Sequence, residues 1–161
     1  MQAFTTAIPV ELNGLKPGEF FLLHVGYEFE PAFLVEQEGT RFVLILNFDT
    51  GSGRREFRLF RLAEFNGHAA LHFQSARIVP SFAPGHIKPG RPGNFQDSKA
   101  LYIRPQATVV YAQTTTSPKK VNLTTGTLYG ESVEDGAYTT HWRIECPAPE
   151  GGHQILCEFT A

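Results

Sequence analysis

The stretch Thr40–Phe48 (TRFVLILNF) constrains the fold of this chain more than any other. In an extended strand Phe42, Leu44, Leu46 and Phe48 fall on one face, with Val43 and Ile45 on the other. A strand apolar on both faces is covered from both sides, so this one is expected in the interior. Phe33–Gln37 precedes it after only Glu38-Gly39, which predicts a tight hairpin.

Other strands are expected around this one. They fall at Ile8–Leu12, Glu19–Val25, Glu56–Leu62, Ala69–Phe73, Ala76–Val79, Leu101–Arg104 and Ala107–Gln113. Tyr138–Cys146 gives the cleanest alternation: Tyr138, Thr140, Trp142, Ile144 and Cys146 share one face, and Thr139, His141, Arg143 and Glu145 the other. That pattern predicts one antiparallel strand with a wet face. Ile155, Cys157 and Phe159 mark a closing strand. Fourteen Phe, fifteen Gly and eleven Pro among 161 residues favour strands and turns over long helices. The expected fold class is therefore all-β, an antiparallel β-sandwich or barrel forming a single domain over residues 1–161, with about ten short strands.

No run approaches the ~20 apolar residues of a membrane span, so no membrane partner is expected. The N-terminus lacks the basic and apolar regions of a secretory signal. Cys146 and Cys157 lie on the last two expected strands. A cross-strand disulfide requires that they face one another. Two buried thiols in a reducing compartment is the favoured reading, and with it a cytoplasmic location.

Charge is distributed unevenly. Residues 1–53 carry a net of −5, residues 54–120 a net of +8, and residues 121–161 a net of −5. The basic block contains Arg54, Arg55, Arg58 and Arg61 in one short run. It also contains His86, Lys88, Arg91 and Lys99 in and beside a long Pro/Gly-rich loop (80–98). Gathered on one surface, these eight residues would attract an anionic ligand or an acidic protein partner, with nucleic acid less favoured. The competing reading is that acidic and basic strands pair and neutralise one another across the ladder. Residues 114–127, rich in Thr, are expected as a second long loop or an irregular edge whose weak guarding favours a homodimer.

Arg54 and Arg58 fit the Arg-x-x-x-Arg half of a motif, and this short stretch resembles the PilZ-type cyclic-dinucleotide receptors, which are β-barrels. The companion motif needs an acidic or amide residue before x-Ser-x-x-Gly. The nearest region, Val79–Gly85, has neither that residue nor the spacing, so no ligand is carried over. On a strand His68 and His72 would stand roughly 13 Å apart, too far for one metal. No His-x-His, paired-cysteine or Gly-x-Ser-x-Gly motif occurs. No catalytic residue, metal ligand or cofactor is therefore assigned. The expected function is a non-catalytic binding or assembly module with a basic central surface. The alternative is a metal-dependent enzyme whose histidines converge in a β-barrel pocket.

Overall fold

The computed structural model describes residues 7–90 and 99–160. The fold is all-β, with fifteen strands among those residues, and its helical content is two 3-10 turns at Leu12–Gly14 and Leu62–Phe65. The strands form three sheets. The first contains β1 (Ala7–Val10), β2 (Phe20–Val25), β3 (Glu28–Gln37), β4 (Thr40–Asp49), β5 (Arg55–Arg61) and β6 (Ala70–Phe73), in the order β1-β6-β2-β3-β4-β5. The second contains β8 (Ile87–Pro89), β9 (Leu101–Arg104), β10 (Ala107–Ala112), β11 (Lys119–Asn122), β12 (Thr127–Leu128) and β13 (Ala137–Thr139), in the order β12-β11-β10-β9-β13-β8. The third is β15 (His153–Thr160), β14 (His141–Pro147) and β7 (Arg77–Pro80). Paired strands run antiparallel throughout. A parallel bridge between Arg58 and Gln113 links the edge of the first sheet to the second.

The β3–β4 hairpin forms as its sequence predicts, with Gln37 opposite Thr40. Glu38 and Gly39 both take positive φ, 51° and 79°. That is what a two-residue turn matching the twist of its strands requires. β4 lies between β3 and β5, and both of its faces are buried. Leu44 and Leu46 enter the main core, where they meet Val110 and Val121 of the second sheet and Trp142, Ile144 and Phe159 of the third. Val43 and Ile45 face the other way, under Leu12 and Leu15 of the first 3-10 turn and Leu62 and Phe65 of the second. At about 1.5–3 kcal/mol per large apolar side chain, burial on both faces makes this strand the centre of the fold.

Three expectations change. Tyr138–Cys146 is not one strand: it breaks at Thr140 into β13 and β14, which belong to different sheets. Hydrogen bonds to a distant segment make the break. The Thr139 hydroxyl donates to Ser81 O and His141 O, both at 2.9 Å, and the Thr140 N–H donates to His86 O at 3.0 Å. The expected wet face is also wrong at two positions, because Thr139 and Glu145 are buried. Of the two readings of residues 114–127, the edge is the nearer one, since they supply β11 and the first residue of the edge strand β12. Within the loop 80–98, Ile87–Pro89 is a strand paired to β13, and Arg91 lies outside the described residues.

The two cysteines are not opposed. Cys146 pairs with Gln154 and Cys157 with Ile144, so no disulfide joins them. Burial pushes the Cys157 thiol up to about 12. Among the described residues, no helix is long and apolar enough to cross a membrane.

Candidate functional site

The strand break at Thr140 positions the most chemically unusual group of side chains. After β7 the chain turns through residues 81–86, and the Ser81 N–H donates to His141 O at 2.9 Å. The turn thereby lies along the start of β14. His86 and His141, far apart in sequence, stack with ring centroids 3.7 Å apart and planes 10° from parallel. Hydroxyls fix both rings: Ser81 Oγ is 2.7 Å from His86 Nδ1, and Thr140 Oγ1 is 2.9 Å from His141 Nδ1. The Nε2 atoms have no protein partner among the described residues, so each is available to a ligand.

The pair lines a pocket of about 290 Å³ together with Ser81, Trp142, Arg143 and Glu158. Arg143 donates Nε–H to Glu145 at 2.9 Å and remains 42% exposed at the pocket. Glu158 faces Arg143 across the β14–β15 ladder. Trp142 is buried behind them, with Nε1–H donating to Lys99 O at 2.8 Å and its ring stacked on Phe159. Lys88 follows on β8 and is exposed.

Behind this pocket lies a buried carboxylate. Glu145 Oε1 accepts from Arg77 Nη2 at 2.6 Å, and Oε2 accepts from Arg143 Nε at 2.9 Å. Hydrogen bonds from Arg77 and then Arg143 hold this carboxyl below the usual carboxylate range. With Glu158 opposite Arg143 across the ladder, two guanidiniums stand among two carboxylates here.

The Arg54–Arg61 run does not form a single positive surface. Alternation along β5 sends Arg55 and Arg61 to one face and Arg58 to the other. Arg55 is held among acids of the N-terminal block, at 3.1 Å from Glu30, 3.8 Å from Glu28 and 3.9 Å from Asp49. Desolvation raises the Glu30 carboxyl above its ordinary value, and Arg55 opposes that rise. Arg58 pairs with Glu56 at 3.0 Å and lies over the Phe48 and Phe60 rings. Arg54 and Arg61 remain exposed, with the Arg61 N–H donating to Glu64. Lys99 faces a different groove, shared with Glu28, Glu30 and Glu158. Charge is neutralised across the ladder here, which is the competing reading of the sequence. Of the seven basic candidates among the described residues, His86 alone lines the histidine pocket, with Lys88 close by in sequence.

His141, Ser81 and Arg143 carry no local signal that marks them as a site. Only the break at Thr140 brings them to His86. Stacked rings direct their in-plane lone pairs side by side, not toward a common point, so one ion cannot take both. Among the described residues, no group of three or more His, Cys, Asp or Glu is arranged to hold a metal. The Ser81–His86 contact has the length of a nucleophile–base pair, but among the described residues no carboxylate contacts the other nitrogen of the ring. No protein-family model matches the chain, and no significant match is found among curated proteins or solved structures.

Proposed function

We propose that this chain is a non-catalytic binding module that takes an anionic ligand, or the acidic surface of a partner, at the His86–His141 pocket. One observation carries the reading: two imidazoles, the Ser81 hydroxyl and the Arg143 guanidinium meet in a single pocket. Imidazole N–H, hydroxyl and guanidinium groups are all donors suited to phosphate or carboxylate oxygens. Chemistry would demand more, because a base needs a third group to orient it. Two cysteines with no disulfide between them fit a cytoplasmic setting. Association of two copies through strand edges is a separate expectation, and light scattering across a concentration series checks it.

The chain has one tryptophan, Trp142, and it lines this pocket. Its emission therefore reports directly on occupancy. Titration with inorganic pyrophosphate and with heparin at low salt is expected to give a saturable change that weakens as salt rises. Replacing both His86 and His141 with Ala should remove it. No response to either anion, or an unchanged response in the double variant, overturns the reading.

A further inference from the structure

The three sheets meet around a second cavity, of about 310 Å³, which is chemically unlike the histidine pocket. Its floor is apolar. Phe20 and Phe33 of the first sheet pack edge to face with centroids 5.4 Å apart, and Ile144 of the third sheet is fully buried beside them. Its rim is polar: Arg77 stands on one side, and on the other the Thr108 and Thr124 hydroxyls lie 3.1 Å apart. Gly18 fixes the wall, because a Cβ there would meet Thr124 O at 3.2 Å. The mouth is thus held by backbone and formed in advance.

We propose that this cavity binds a small amphiphilic carboxylate, with a short alkyl or aryl body on the floor and the head group at the rim. An apolar-lined space forfeits dispersion contacts and offers water few partners, so an apolar body is favoured there. The rim supplies donors. Arg77 uses Nε and Nη2 on Glu145 and His153, which leaves Nη1 to donate. Two hydroxyls bonded to each other use one proton between them, so the Thr108–Thr124 pair retains one to give. The volume is near the lower end of the range for small-molecule pockets, which selects a compact ligand.

The test uses 3-phenylpropionate as probe and methyl NMR of the wild-type protein as readout. Saturable shifts are expected at Ile78, Leu123 and Ile144, all of which line the cavity. The uncharged 3-phenylpropanol should bind about tenfold more weakly, as expected for loss of a charge-assisted hydrogen bond. Ala76 lines the same cavity, and A76W should abolish the shifts by filling it. If A76W fails to fold, I78F serves in its place. Absent or non-saturating shifts in the wild type overturn the proposal. So do shifts confined to Val79, whose methyls line the histidine pocket, which would assign the probe there. Equal affinity for the acid and the alcohol removes the assigned head-group recognition.

Discussion

His86 and His141 lie face to face, 3.7 Å apart, across a turn and the start of a strand that share no local sequence. Their Nδ1 atoms are held by Ser81 and Thr140, so the stack is fixed from both sides. At this separation the two ring faces are in van der Waals contact over their whole area. His86→Ala and His141→Ala should each destabilise the protein, and the double variant should cost less than the two single costs added together. A double-mutant cycle from urea midpoints measures the coupling. Strict additivity would mean that the rings touch without interacting.

Glu145 titrates in the opposite sense to a carboxyl that is merely buried. Its hydrogen bonds to Arg77 and Arg143 lower its folded value below the ordinary 4.5. A group depressed on folding contributes stability above its unfolded value, and loses it as pH falls through the lower folded one. The wild type should therefore lose stability on acidification below about pH 4.5 by a route closed to Glu145→Gln. Urea midpoints compared between pH 7 and pH 3 should show the gap between the two proteins narrowing toward acid. A constant gap would remove Glu145 as a contributor to acid sensitivity.

The parts of this fold that were legible in the sequence are those set by near neighbours. The β3–β4 hairpin follows from two apolar runs and a two-residue turn, and needs nothing distant. The N-terminal half of β3 was missed because Pro31 has no N–H and interrupts the strand pattern, although it pairs with Leu22. The division of Tyr138–Cys146 was illegible for another reason. Its alternation is unbroken, and only hydrogen bonds from Thr139 and Thr140 to Ser81 and His86 divide it. Those contacts also build the histidine pair, so the candidate site and the strand break share one cause. Likewise, a count of charges shows that β5 is basic, but only register shows that Arg55 meets Asp49 and reaches Glu30.

Arg55→Ala should separate a structural arginine from a spare one. Burial raises the Glu30 carboxyl and Arg55 opposes it, so removing Arg55 leaves a poorly solvated charge. A group raised on folding is at ease below its unfolded value and costs stability as pH rises through the folded one. The variant should therefore lose roughly 1–3 kcal/mol at neutral pH and much less near pH 4. Arg54 is exposed, and Arg54→Ala should stay within about 0.5 kcal/mol at either pH. Thermal melts at the two pH values measure both. Equal losses from the two variants would show that Arg55 is not the counter-charge of Glu30.

Gly126 is where two backbones cross, and it offers the strictest check on how the sheets are joined. Its φ is +69°, and a Cβ there would come within 2.5 Å of Pro17 C and closer still to Gly18 N. Both are main-chain atoms, with no flexible side chain to move aside. The crossing is also bonded: Gly126 O accepts from Glu36 N–H at 2.8 Å, and Leu34 O accepts from Gly18 N–H at 2.8 Å. These contacts tie the segment between β11 and β12 to β3, joining the second sheet to the first. Gly126→Ala combines left-handed strain with a backbone clash, so it should cost about 3 kcal/mol or more. Gly14 serves as control, because a Cβ there meets nothing within 4 Å. Gly14→Ala should change stability by less than about 1 kcal/mol. Urea denaturation followed by Trp142 emission measures both, and near-equal midpoints would mean that the chain does not cross as described.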